Sequence, residues 1–517
     1  MENKKTVRLP SLFEAFLPII TMVGLMIYVF VFAKAEIDGE IVNIYDGAHM
    51  PLIMGIIVAC LVGILCGNTF KDMLDGMIGR ITTTLNAILI FLTVGILVSA
   101  FMISGTIPAL IYYGLEFLTP KLFLPIGCII TALVGLACGS SWTATATIGI
   151  AFMTIGEGLG INPAITAGMI ISGAYVGDKL SPLSDTTNLA AGVAKTGLFD
   201  HVTAMLSTTG PIFLIALVLY SILGFGINTT NYDSSIAEGI KAALYSNFNI
   251  NPFVLLPVVI IILLCLLRVE GLAGVSLSVF VAIIFSLIFQ EQRSLAEIFS
   301  ILHYGPGIET GNSFVDQALA KGGMDNQMRT INLILLAVSF GGALEKAGVI
   351  ERIFSNLKKK INSIPALVFT TMATSIFCDA SMCDQFLGIG IPGPLYEDKY
   401  DELGLSRNML SRTLEDAGTL WAVMFPWTAC GAYQMTTLGV NPIYYFPFAF
   451  VNLLSPIYAL ITAYFKINIF WADGSYTNIF GKTKQKKKAK APKDVDKFAN
   501  KQLEKLRKEG RIPTINA

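Results

Sequence analysis

Long apolar runs, set almost end to end along the chain, limit most severely what this sequence can fold into. Runs near 12–33, 48–66, 82–103, 122–138, 203–227, 250–268, 272–289, 330–345, 364–378 and 443–466 approach the about 20 residues that a helix needs to cross a bilayer. With 54% of 517 residues apolar, 14% charged and a mean hydropathy of +0.66, there is too little polar surface for a water-soluble globule. A soluble enzyme, a nucleic-acid-binding protein and a disordered scaffold are thereby excluded. The expected fold is an all-α polytopic membrane protein of about 12 spans.

The formal net charge is zero, from 36 basic and 36 acidic residues. That balance hides a split. Lys482 to Arg511 holds 13 basic and 4 acidic residues, leaving 23 basic and 32 acidic residues elsewhere. An acidic body thus carries a basic tail, with a helical stretch expected near DVDKFANKQLEKLRKEG and anionic lipid headgroups as one possible partner of the tail. The eight cysteines include no CxxC pair and read as small buried apolar residues. His49, His201 and His303 are too scattered to signal a metal site, and no cofactor is implied. The first apolar run is too long for a signal-peptide core, so it reads as the first membrane helix, with the N-terminus cytoplasmic.

Two regions, 139–200 and 379–440, depart from the apolar pattern and are crowded with Gly, Ser, Thr, Pro and acids. Broken backbone inside a bilayer is tolerated only where it is buried in protein or lines a cavity. Two such regions in corresponding halves mark a transporter's binding site. Leu92–Ile107 lies over Leu335–Ile350 at an offset of 243, with Gly105 on Gly348, and Gly160 and Pro182 lie over Gly404 and Pro426 at 244. The loop of the first half, GTIPALIYYGLEFLTPK, has Lys121 as its one base, whereas its counterpart carries Lys346, Arg352, Lys358, Lys359 and Lys360. The positive-inside rule puts the second loop in the cytoplasm and the first outside. The expectation is two inverted repeats with broken helices and re-entrant hairpins, both termini cytoplasmic. The chain divides into 1–47 (N-terminal end, first membrane helix, outer loop), 48–228 (first repeat), 229–269 (linker with a connecting helix), 270–470 (second repeat and last helix) and 471–517 (basic tail).

The densest polar string is GDKLSPLSDTTN, Gly177 to Asn188. Pro182 should break the helix there. Asp178 and Asp185, with the neutral oxygens of Ser181, Thr186, Thr187 and Asn188, form a hard-oxygen set suited to Na⁺. A carboxylate that also takes a proton lets H⁺ and Na⁺ compete for one place. Lys179 either pairs with a nearby acid or sits at the membrane interface. In GSSWTATATIGIAF, Ser140, Ser141, Thr143 and Thr147 read either as a hairpin tip lining a substrate or as Ser/Thr packing between helices. The second half offers Asp379, Asp384 and Gln385, then Arg412, Glu415, Asp416 and Thr419. Arg412 and Asp416, four apart, are spaced for an ion pair. Glu157 reads as a loop residue, and Asp38, Glu40 and Asp46 as residues of an outer loop.

GTIPALIYYG, GSSWTATATIGIAFMTIGEGLGI and above all SGAYVGDKLSPLSDTTNLA resemble the NhaC family of sodium/proton antiporters, as do LSRTLEDAGT and PWTACGAY. The resemblance covers roughly residues 10–470. It implies membership of the ion transporter superfamily, with inverted repeats, an elevator-like movement and a homodimer. Asp178, Ser181, Asp185, Thr186, Thr187 and Asn188 fall within the family's main signature. On this basis the expected activity is exchange of Na⁺ for H⁺ across a bacterial cytoplasmic membrane, with Asp384, Glu415 and Asp416 completing the ion site. Relatives that exchange sodium for malate or lactate supply the alternative, a sodium-coupled carrier of a small carboxylate or amino acid. A channel is disfavoured by charged breaks in paired halves. A membrane enzyme lacks any visible nucleophile–base or HExxH motif.

Overall fold

A computed structural model describes residues 7–37, 40–43, 47–226, 234–267, 269–291, 293–354 and 361–485. The protein is a helical polytopic membrane protein. Among the described residues, five helices are long and apolar enough to cross a membrane, and three bent pairs would each qualify as one span. The five are Pro120–Cys138, Leu198–Gly226, Gly271–Phe289, Asp325–Lys346 and Ile364–Met382. Leu214, Val218, Ile222, Leu266, Phe280 and Ile288 are exposed on such helices, a surface that lipid covers.

Of two expected single spans, one is joined to its neighbour by a sharp bend and the other is itself bent. The run at 250–268 becomes Pro252–Leu266, which meets Ser235–Asn247 at 98°, and the run at 443–466 bends by 58° between Pro442–Phe448 and Phe450–Tyr464. In each, proline opens the second or first segment, where its missing N–H is no loss. Glu157 closes the Ile150–Gly158 helix rather than lying in a loop. Glu40 opens a strand, Glu40–Asn43, that pairs antiparallel with Lys34–Ile37. Asp38, Asp46 and the tail from 486 lie outside the described residues.

Element boundaries recur at a spacing of 244. Pro120–Cys138 and Ile364–Met382 are both 19-residue helices, and later helices start at Ser141 and Gln385, Pro163 and Arg407, Asp185 and Ala429. The turns agree as well: Gly139 and Cys383 have φ of 63° and 61°, and Gly160 and Gly404 have 70° and 68°. At the C-terminal side, Ile469–Phe470, Ser475–Thr477 and Thr483–Gln485 form a small antiparallel sheet docked on the body by a bridge from Trp471 to Leu405.

Candidate functional site

The site begins with a glycine notch. A Cβ on Gly173 would sit 2.5 Å from the Cys128 carbonyl oxygen, one on Gly177 only 2.2 Å from that of Ala132, and one on Gly135 only 2.7 Å from that of Ala174. Small residues four apart let helix backbones approach closely. Pro163–Leu180 therefore lies hard against Pro120–Cys138, which carries Asp178 to the turn where the latter helix ends. That turn needs the left-handed backbone of Gly139, and Ser140 caps the segment that follows. Ser141 then donates its N–H (3.0 Å) and its Oγ–H (2.7 Å) to Asp178 Oδ2.

Around this contact lies a hollow of about 80 Å³ walled by Ser140, Ser141, Asp178, Ser184, Asp185, Thr186 and Gln385. Trp142 forms another wall, stacked on Tyr433 at 4.5 Å with its carbonyl accepting from the Tyr433 hydroxyl. A wider hollow of about 280 Å³ shares Ser140 and Asp185 and extends past Thr143 to Glu270. Asp178 is buried and Asp185 is exposed, so the pair runs from the inside outward. The polar groups are carboxylates, hydroxyls and an amide, the oxygen set that a hard cation takes.

The helix of Asp178 stops at Leu180, as Pro182 predicts. Thr187 donates to the carbonyls of Asp178 (3.4 Å) and Lys179 (3.2 Å). Asn188 donates to those of Pro182 and Ser184, and Ser181 Oγ accepts from Leu183 N. These three side chains hold the break together, whereas Thr186 faces the hollow. Thr143 reaches the wider hollow, while the Thr147 hydroxyl is spent on the carbonyls of Thr143 and Ala144. Asp384 caps the Gln385–Gly390 helix and accepts from Phe386 N, at a narrow gap beside Trp142.

Lys179 finds its acid in the other half of the chain. Its Nζ is 2.6 Å from Asp416 Oδ1, and both side chains are fully buried. Thr208 and Ser455 donate to the same oxygen. The Arg412–Asp416 pair expected from spacing does not form. Backbone over Glu415–Thr419 widens into a π-helical turn, so residues four apart no longer stack. Arg412 Nη1 instead donates to Ser207 Oγ and the Asn468 carbonyl. Glu415 is fully buried, in electrostatic reach of Lys179 and Asp178, with Thr186 and Thr419 beside it. Asp178–Lys179 and Glu415–Asp416 are thus two adjacent charged doublets facing one another across the halves.

Ser184, Trp142 and Glu270 also line the hollows although the sequence did not single them out as site residues. Glu270 had one signal, an acid immediately before an apolar helix. Thr208 and Ser455 had none, being ordinary hydroxyls in apolar runs.

A helical membrane protein with an oxygen-lined hollow between two helix breaks is of the kind that carries small polar cargo. The Na⁺/H⁺ antiporter family model matches residues 173–467, and the chain belongs to that family. A model for the C4-dicarboxylate anaerobic carrier matches residues 1–224. The chain is 35% identical over 81% of its length to the Na⁺/H⁺ antiporter NhaC of Alkalihalophilus pseudofirmus, covering 91% of that protein. It is 36% identical over 90% of its length to the arginine/ornithine antiporter ArcD of Halobacterium salinarum, covering 94% of it. A malate-2H⁺/Na⁺-lactate antiporter of Bacillus subtilis is 34% identical over 89% of this chain and 96% of its own.

Proposed function

We propose that this chain is a secondary active antiporter, not an enzyme, exchanging Na⁺ for H⁺ across the bacterial cytoplasmic membrane by alternating access. The observation that carries the reading is Asp178, held by two Ser141 donors at the wall of an oxygen-lined hollow. Asp178, Asp185, Ser184, Thr186 and Gln385 bind the cation there. Glu415 and the Lys179–Asp416 pair balance its charge from the other half. Ser181, Thr187 and Asn188 shape the break. The 244-residue recurrence of helix boundaries supports two repeats. The opposed loop charges support their inversion, both termini cytoplasmic and about 12 spans counting half-crossings. The unit boundaries near 48, 229, 270 and 471 and a homodimer belong to the same reading.

In vesicles loaded with a pH dye, a Na⁺ pulse is expected to drive proton flux, and Asp178→Asn to abolish it. Normal exchange by Asp178→Asn would remove the site assignment. Absence of wild-type proton flux would remove the exchange itself. A second reading, a sodium-coupled carrier of a small carboxylate or amino acid, is favoured by the adjoining 280 Å³ hollow, which exceeds what a bare ion needs. Sodium-dependent uptake of labelled malate, lactate or arginine distinguishes the two.

A further inference from the structure

Among the described residues, two buried carboxylates away from the hollow, Glu415 and Asp379, accept no hydrogen bond on either oxygen; Glu415 has Lys179 in electrostatic reach, and Asp379 has no cation. Asp379 lies in the last turn of Ile364–Met382, is fully buried, and neither of its oxygens accepts a hydrogen bond. Its Oδ1 fills the place a side chain on Gly388 would take, 2.0 Å from an ideal Cβ there. Ser375, one turn earlier, presents its carbonyl to the same spot at 3.2 Å, and its own hydroxyl has no partner.

The titratable groups facing Asp379 offer no positive charge. They are Asp384 from the following turn, Cys378 and Cys383 on its own segment, and Cys430 from Ala429–Leu438. Arg80 faces Asp384, and the π-helical turn of Glu415 and Asp416 meets Gly388 through the backbone of Gly418. Among the described residues no ion pair includes Asp379. An ionised carboxylate buried without donors costs several kcal/mol, so this group holds its place as a neutral acid. Asp178 is the opposite case, with two donors aimed at one oxygen as an anion requires. Asp379 also lines neither of the two hollows at Asp178.

We propose that Asp379 is the proton carrier of the exchange, at a place separate from the cation hollow of Asp178. The inference rests on the Na⁺/H⁺ reading above. The carboxyl takes a proton from water on one side and returns it to water on the other, and no electrons move. Asp178 then serves the cation, and the two loads travel on different halves of the chain.

The test uses the full chain in vesicles. Asp379→Asn is expected to keep ²²Na⁺/Na⁺ exchange while Na⁺-driven proton flux falls about ten-fold or more, and Asp379→Glu to restore it. Wild-type proton flux in Asp379→Asn, or loss of ²²Na⁺/Na⁺ exchange together with proton flux, overturns the assignment. Wild-type protein, which needs no variant to fold, gives a second measurement. Dicyclohexylcarbodiimide, which attacks protonated carboxyls in apolar surroundings, should label the Asp379 peptide, and labelling should fall as pH rises. No labelling, or labelling indifferent to pH, overturns it as well. If wild-type vesicles exchange ²²Na⁺ but move no protons, the Na⁺/H⁺ reading itself has failed and this inference falls with it.

Discussion

Ser141 gives both of its donors to a single oxygen of Asp178, its N–H at 3.0 Å and its Oγ–H at 2.7 Å. Hydrogen bonds to a charged group are each worth about 1.5–3 kcal/mol. Ser141→Ala removes one and keeps the backbone donor. The sodium concentration for half-maximal exchange should shift about ten-fold or more, measured by ²²Na⁺ uptake, with maximal rate less affected. An unchanged half-saturation would mean that Asp178 does not meet the ion.

The Lys179–Asp416 pair is buried completely. Removing one partner leaves an uncompensated charge, so Lys179→Met or Asp416→Leu alone should cost about 3–5 kcal/mol. The double variant should recover most of that stability, because matched apolar residues need no compensation. Thermal unfolding in detergent reads all three. Additive losses would show that the two side chains do not act as a pair.

Gly177→Ala places a methyl 2.2 Å from the Ala132 carbonyl. Nothing lies within 4 Å of a Cβ on Gly192, 15 residues further on. Gly177→Ala should lower the thermal midpoint and remove exchange by pulling Asp178 away from Ser141, while Gly192→Ala leaves both unchanged. Equal behaviour of the two variants would take the notch out of the account.

Asp473, in the hairpin of the C-terminal sheet, accepts from the Ser475 N–H at 2.8 Å, and its bonds with Ser475 pull its carboxyl below the usual 3.8. A carboxylate lowered on folding adds stability above its ordinary value and loses it as pH falls through the lowered one. Protection of 469–485 in hydrogen exchange should therefore hold at neutral pH and decay only below 3.8. Asp473→Asn should flatten that dependence. A decay beginning near pH 6 would point to another group.

What the sequence made legible follows a physical division. Asp178, Asp185, Thr186 and the break at Pro182 share one short string, where local chemistry decides the structure, and they appear where spacing places them. The 244-residue recurrence of turns was readable from Gly160 and Gly404 because a left-handed turn tolerates few residues. The partner of Lys179 was not readable. It lies 237 positions away, and only the packing of the two halves selects Asp416 over the nearer acids. Thr147 misled for a local reason: its hydroxyl turns back on its own helix, which composition does not reveal.

The Lys179–Asp416 contact also bears on which parts of the molecule change place during a cycle. Leaving either charge unpaired in an apolar interior costs about 3–5 kcal/mol. The pair therefore ties Pro163–Leu180 to the π-helical turn at Glu415–Thr419, although they come from opposite halves of the chain. A boundary drawn through the middle of the sequence would cut this contact, so the sequence halves are not the mechanical units of the fold.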